Sequence, residues 1–204
     1  GILMWLIGQP HNGLSTSPDI STLITLFIMG LNSFKSQFRL FVQNGLSRRT
    51  LIAGFLLSAL ALSVLTTAVN GLIALVLGGE SYLSLFSLLY GRSGAAGLLW
   101  ALLANYAMIL TGFLISSLYY RMDTLLRIAV SVGVPLVLFV VLPVLESMGI
   151  RIFTSLMRGI AWALGLDSAP TVHPLRAAAS FCAYGAAMAG FSYLLVRRAT
   201  VRDA

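Results

Sequence analysis

Long apolar runs separated by short polar connections make up most of this chain. Five of them, residues 20–41, 51–77, 94–118, 125–145 and 175–196, are 21 to 27 residues long. An α-helix rises about 1.5 Å per residue, so a run of this length can cross a hydrocarbon layer of about 30 Å. The pattern therefore predicts an all-α, polytopic membrane helical bundle in which these five runs are complete spans.

The two ends of the chain complete this organisation. Residues 1–8 are apolar but too short to span, and we interpret them as the end of a first span that is largely missing from this sequence. The five complete runs are then spans 2 to 6 of a single transmembrane domain that covers residues 1–204. Residues 197–204 form a short basic tail after the last span.

Two connections are predicted to contain helix as well. Residues 81–93 carry three aromatic side chains suited to the headgroup region and are predicted as a loop or a short interfacial helix. In residues 149–165 apolar side chains recur every three or four positions, with Arg151 and Arg158 on the other face. This pattern predicts an amphipathic helix that lies in the outer membrane surface. Pro135 predicts a kink in the fifth span, because proline removes a backbone hydrogen bond.

Charged residues are few and mostly positive. The 204 residues are 58% hydrophobic and 9% charged, with a net charge of +7, whereas soluble domains carry about a quarter charged residues. We therefore interpret the positive balance as the positive-inside bias of a membrane protein, not as nucleic-acid binding. Nine of the 13 basic residues fall on the predicted cytoplasmic side: Lys35, Arg39, Arg48, Arg49, Arg121, Arg127, Arg197, Arg198 and Arg202. The other four fall on the opposite side: Arg92, Arg151, Arg158 and Arg176.

The sequence lacks the patterns that catalysis within a membrane would need. Almost no ionisable residue lies near the middle of a span, and Cys182 is the sole cysteine, with no metal-ligand spacing around it. Ser192 has no histidine at a matching depth, and neither a His-Glu-x-x-His pattern nor a Gly-x-x-x-x-Gly-Lys-Ser/Thr phosphate loop is present. The sequence therefore predicts no catalytic residue, no metal site and no cofactor bound by this chain itself.

Several polar side chains within the spans are candidates for a substrate path. Thr66, Asn70, Asn105 and Thr111 are the residues selected for this role. The alternative is that they bond to other helices or to their own backbone, which is a common role for polar groups in membrane helices.

The longest basic interruption follows the second span, at residues 42–50. Phe34, Phe38 and Phe41 precede it at helical spacing and therefore share one face of a helix. Asn44-Gly45 predicts a sharp turn, and Ser47 stands where the N-cap of the next helix is expected. The cations of this region are Lys35, Arg39, Arg48 and Arg49, and no acidic residue accompanies them.

This region resembles a segment of small bacterial ABC-2-type transporter permeases. Those proteins often carry phenylalanine followed by asparagine-glycine-x-serine-arginine-lysine-threonine after their second span. Phe41 and the run from Asn44 to Thr50 match this pattern, with Arg49 in place of the lysine. Residues 194–201 are similar to the terminal arginine-arginine-alanine-proline-valine of the same family, with Thr200 in place of the proline.

The resemblance implies a six-span permease fold and a coupling segment that docks in a groove of a separate cytoplasmic ATPase subunit. That subunit would bind ATP and Mg²⁺, and a second permease copy or a paralogue would complete an exporter in the bacterial cytoplasmic (inner) membrane. The residues assigned to docking are Phe34, Phe38, Arg39, Phe41, Asn44, Gly45, Ser47, Arg48 and Arg49. Three alternatives stay open. The cations could serve only to fix topology and bind lipid headgroups. The chain could be a carrier or channel without an ATPase, or a membrane enzyme acting on lipid or peptide.

Overall fold

The computed structural model describes residues 18–45, 47–76, 84–90, 95–149, 151–166 and 173–197, and these are helical almost throughout. The helices are α1 (Pro18–Gln43), α2 (Arg48–Val76), α3 (Ser84–Tyr90), α4 (Ala95–Arg121), α5 (Thr124–Ser147), α6 (Ile152–Ala163) and α7 (Pro174–Arg197). No strand occurs within these ranges, so the all-α class is confirmed.

Four of these helices, α2, α4, α5 and α7, are long and apolar enough to cross a membrane, which is the signature of a multi-pass membrane protein. In α1 the apolar part is shorter, from Asp19 to Phe34. The helix ends lie within a few residues of the predicted spans, and α3 and α6 are the helices expected in the two connections. The predicted first span, at residues 1–8, lies outside the described residues, as does the tail beyond Arg197.

The centre of the bundle is α4, against which α1, α2 and α7 pack. α1 approaches most closely where Gly30 meets Gly112. A Cβ on Gly112 would collide with the carbonyl oxygen of Phe27, and a Cβ on Gly30 with that of Ile109. Two glycines are needed here because only they let the two backbones come this near.

The contacts along α4 fix the direction of α1 and α2. Phe34 of α1 lies beside Phe113 of α4, and Phe38 lies beside Tyr120. The two helices therefore run in the same direction. On α2 the order is reversed, because Phe55 stacks on Phe113 while the later Thr67 bonds to the earlier Asn105. α1 and α4 are therefore parallel and α2 is antiparallel to them, as alternating spans require.

The buried side chains form one cluster near each end of the bundle. The basic-end cluster contains Leu26, Phe34, Phe38, Leu51, Ile52, Phe55, Ala59, Ile109, Leu110, Phe113 and Val196. The opposite-end cluster contains Phe86, Tyr90, Trp100, Ala104 and Ala177. α7 contributes to the opposite-end cluster near its start and to the basic-end cluster near its end, so it runs parallel to α4. The ends of α1, α4 and α7 and the start of α2 thus lie together.

α5 differs from the other spans because it has no buried residue. It is also irregular: Val137–Val141 is a π-helical segment in which the N–H of Leu142 bonds to the carbonyl oxygen of Val137. The segment lies between Pro135 and Pro143, neither of which has a backbone N–H to donate. A widened turn therefore follows Pro135, while the kink predicted at this proline stays a prediction.

Candidate functional site

The basic turn, residues 44–49, joins α1 to α2. The side-chain amide of Asn44 donates to the carbonyl oxygen of Leu40 at 2.8 Å, and the Asn44 backbone N–H donates to the same oxygen at 3.1 Å. Gly45 follows with φ of +66°, a left-handed conformation that favours glycine. The predicted turn at Asn44-Gly45 is confirmed. It leaves only four residues, 44–47, between α1 and α2, fewer than the predicted segment 42–50.

Ser47 is the N-cap of α2. Its Oγ accepts from the backbone N–H of Thr50 at 3.2 Å, and its carbonyl oxygen accepts from Leu51 N–H at 3.1 Å. The N-cap predicted from the sequence is therefore confirmed.

Arg48 and Arg49 lie exposed in the first turn of α2, which contains no acidic residue. The partial positive charge at a helix N-terminus disfavours cations there, typically by about 0.3–1 kcal/mol each. The helix dipole therefore gives neither arginine a favourable interaction. Their placement fits the positive balance expected at one side of a membrane protein.

The phenylalanines that precede the basic turn are not arranged as the docking hypothesis expects. Phe34 and Phe38 are only 1% and 2% exposed, stack on each other, and lie edge-on to Tyr120 of α4. Phe41 is half-buried against the same cluster. The prediction that this face meets a partner is therefore wrong for Phe34 and Phe38, because α4 already covers it. Helical spacing identified the shared face correctly but could not identify its neighbour.

The exposed side chains of the basic turn and of the adjacent helix ends form the accessible surface at this end of the bundle. Leu40 is 57% exposed, and Asn44, Arg48 and Arg49 are exposed as well. The side chain of Arg39, which was also assigned to docking, lies outside the described residues.

The turn between α4 and α5 adds cations at this end of the bundle. The Nε–H of Arg127 donates to the carbonyl oxygens of Tyr119 and Met122, at 2.9 and 3.0 Å, and so satisfies acceptors at the end of α4. Arg121 is exposed in the last turn of α4, where a cation interacts favourably with the helix dipole. These two cations thus have favourable local roles at the end of α4.

The polar residues selected for a substrate path divide into two kinds. Asn105, 4% exposed, donates from its side-chain amide to Thr67 Oγ1 at 3.2 Å and so links α4 to α2. Thr66 instead bonds to the carbonyl oxygen of Leu62 within its own helix, and Asn70 is half-buried. Sequence reasoning selected Thr66 where the neighbouring threonine makes the interhelical bond.

Thr111 forms a second link between spans. Its hydroxyl donates to the carbonyl oxygen of Ala107 at 2.7 Å and lies 2.9 Å from the hydroxyl of Tyr184 on α7. Asn105 and Thr111 therefore make the interhelical bonds that were the alternative to a path.

An exposed polar stripe on α1 was missed by the sequence analysis. Ser21, Thr25, Asn32 and Gln43 are exposed on the face turned away from α4. At about 100° per residue these positions fall within a stripe about 40° wide. The hydroxyl of Thr25 and the side-chain amide of Asn32 bond to carbonyl oxygens one turn earlier, at 2.8 and 3.0 Å. The spacing of 4, 7 and 11 residues was the available signal.

Within the described ranges, no group of three or more His, Cys, Asp or Glu side chains is placed to hold a metal ion. Comparison of the chain with models of protein families, with characterised proteins and with solved structures finds no match in any of the three. The functional interpretation therefore depends on the local geometry described above and on the motif of the basic turn.

Proposed function

We propose that this chain is the transmembrane permease subunit of a bacterial ABC exporter of the ABC-2 type, in the cytoplasmic membrane. The observation that carries the proposal is the basic turn. A left-handed glycine and a capped helix start hold Arg48 and Arg49 exposed at one end of a spanning bundle. The turn also matches the motif that those permeases carry after their second span.

In this proposal the basic turn contacts a separate ATPase subunit that binds ATP and Mg²⁺. The two arginines would pair with carboxylates on that subunit, which offsets their unfavourable position at the helix N-terminus. Leu40 would supply the apolar part of the contact in place of the buried phenylalanines. Phe34 and Phe38 would act from inside, because they connect the end of α1 to α4 and so transmit a movement of the turn to the central helix.

The polar stripe on α1 supports a transport role. A helix that faced only lipid would gain nothing from Ser21, Thr25 and Asn32 on its outer side, whereas a polar path requires such groups. A second permease copy facing α1 would enclose that path. The stripe also fits a carrier or channel that works without an ATPase, which is the second candidate function.

A charge-reversal experiment tests the proposal. The Arg48→Glu/Arg49→Glu variant is co-expressed with an ABC ATPase subunit, which under this proposal is encoded near its gene, and the ATPase that co-purifies is measured. We expect at least a tenfold loss of complex, because a repulsive contact replaces two charge-assisted ones. The matched control, Arg151→Glu/Arg158→Glu, reverses two arginines at the other end and should retain the complex.

Two results would contradict the proposal. One is an unchanged yield of complex with the Arg48→Glu/Arg49→Glu variant. The other is vectorial transport by the reconstituted chain alone, without ATP, which would favour the carrier or channel. Equal membrane insertion of both variants, measured by fractionation, is required for the comparison.

A further inference from the structure

α6 lies where a membrane surface is expected. It follows α5, which ends at Ser147 after 24 residues and is long enough to have crossed the hydrocarbon layer. α6 itself has 12 residues, none of which is buried. A helix at this depth contacts both acyl chains and headgroups. The distribution of its side chains therefore indicates which side of the helix faces the acyl chains and which faces the headgroups.

One side of α6 is apolar and exposed. Ile152, Leu156 and Ile160 are 48%, 45% and 47% exposed and recur every four residues. They contact neither the bundle nor a neighbouring helix closely enough to be covered. This is the side of an interfacial helix that enters the acyl region.

A basic stripe runs beside the apolar side. Ser155, Arg158 and Trp162 lie 4, 7 and 11 residues after Arg151, and all four side chains are exposed. At about 100° per residue they lie within about 60° of one another, and their mean direction is roughly 130° from the centre of the apolar side. Arg176 of α7 extends the stripe, because its guanidinium carbon lies 5.2 Å from the centre of the Trp162 ring.

The stripe is held in place by contacts on the third side of α6. The hydroxyl of Thr154 donates to the carboxylate of Glu146 near the end of α5. The Tyr90 hydroxyl donates to the carbonyl oxygen of Leu164 at 2.6 Å. Burial raises the pKa of Tyr90, so this phenol stays protonated and remains a donor.

A glycine turn closes the end of α6. Gly165 has φ of +67°, and the N–H of Leu166 bonds to the carbonyl oxygen of Ala161 at 2.8 Å. A Cβ at Gly165 would collide with the carbonyl oxygen of His173, which immediately precedes α7. The rotation of α6 about its axis is therefore set by both neighbours, and the basic stripe keeps a fixed direction.

We propose that α6 is a binding site for anionic phospholipid headgroups, in which Arg151 and Arg158 bind the phosphates while Ile152, Leu156 and Ile160 enter the acyl layer. The two arginines are about 10.5 Å apart along the helix, a separation that suits two neighbouring headgroups. Neither guanidinium contacts an acidic side chain among the described residues. Guanidinium groups bind phosphates through paired hydrogen bonds, so an anionic lipid is the complementary occupant.

Fluorescence of Trp162, within the basic stripe, tests the proposal. The protein is reconstituted in vesicles that contain brominated phosphatidylglycerol or brominated phosphatidylcholine, because bromine quenches nearby tryptophan. Subtraction of the emission of Trp162→Phe from that of the unmodified protein isolates the Trp162 signal. We expect stronger quenching by the anionic lipid. The Arg151→Gln/Arg158→Gln variant should lose that preference by roughly tenfold.

The controls separate specific binding from general charge attraction. Arg49→Gln/Arg121→Gln removes two arginines from the basic end and should leave the preference unchanged. Arg151→Lys/Arg158→Lys keeps the charge but loses the paired guanidinium hydrogen bonds, so it should retain only part of the preference. About 1 M salt, which shortens the screening length to about 3 Å, should weaken the preference in the unmodified protein and gives a readout that needs no variant.

The proposal is overturned by equal quenching from the two lipids in the unmodified protein. It is equally overturned by a preference that survives Arg151→Gln/Arg158→Gln, or by one that does not respond to salt. Because none of these results depends on transport or on an ATPase, they leave the proposed function untouched.

Discussion

α4 and α5 are consecutive apolar helices of similar length, joined by a tight turn, yet they have opposite surroundings. In α4, 44% of the most apolar 18-residue stretch is buried inside the bundle, whereas none of the corresponding stretch of α5 is buried. The difference lies in residue size and polarity. α4 contains Gly97, Ala104 and Gly112, which admit neighbouring helices, and Asn105, which bonds to one of them. Hydropathy therefore predicts that a helix spans, but small and polar residues determine whether it packs.

The Gly30–Gly112 approach is where the packing of α4 is easiest to break. Gly112→Leu should abolish the docking of α1, because even a Cβ at this position collides with the backbone of Phe27. We expect the free energy of unfolding to fall by at least about 3 kcal/mol, which is the upper range for overpacking. The measurement is thermal unfolding in detergent followed by circular dichroism.

Gly133 provides the matched control on α5. A Cβ there meets nothing within 4 Å, so Gly133→Leu should leave the unfolding temperature nearly unchanged. Equal destabilisation by both substitutions would mean that α5 is packed as closely as α4, and the comparison between the two helices would be wrong.

Aromatic packing offers the next largest contrast. Phe113 of α4 is 1% exposed and stacks on Phe55 with ring centres 3.7 Å apart, while Phe139 of α5 is 79% exposed. Phe113→Ala should lower the free energy of unfolding by about 2 kcal/mol. That is less than the roughly 3–5 kcal/mol typical of aqueous cores, because lipid is as apolar as the interior. Phe139→Ala should cost almost nothing by the same unfolding assay, and a comparable loss at both sites would be evidence against the contrast.

The sequence predicted the parts of this structure that depend on local chemistry. Span positions follow from the length of apolar runs, and the cap at Ser47 and the turn at Gly45 follow from backbone requirements a few residues away. The prediction that Phe34 and Phe38 face a partner was wrong, because the burial of that face depends on residues far along the chain. Phe34 is covered by Phe113 and Tyr120, and the spacing of phenylalanines within α1 carries no information about α4.

The same limit explains the polar residues. Thr66 and Thr67 differ by about 100° around α2, and only the rotation of that helix against α4 decides which one reaches Asn105. The exposed stripe on α1 was detectable from spacing alone, but its direction was not. The sequence pattern of such a stripe is the same whether the stripe faces a neighbouring helix, a polar path or lipid.

The smallest predicted effect concerns the bond between Asn105 and Thr67. Asn105→Leu and Thr67→Val, alone and together, form a double-mutant cycle whose coupling we expect to be about 1 kcal/mol, in the range for interhelical hydrogen bonds in membranes. The coupling is modest because Thr67 can bond to its own helix when the amide is removed.

The corresponding link to α5 joins the hydroxyls of Tyr119 and Ser131, which lie 3.0 Å apart outside the buried core. Its cycle, Tyr119→Phe with Ser131→Ala, should give a coupling near zero, since solvent or headgroups replace the lost partner. A coupling at the α5 link equal to that at Asn105 would place α5 inside the packed bundle.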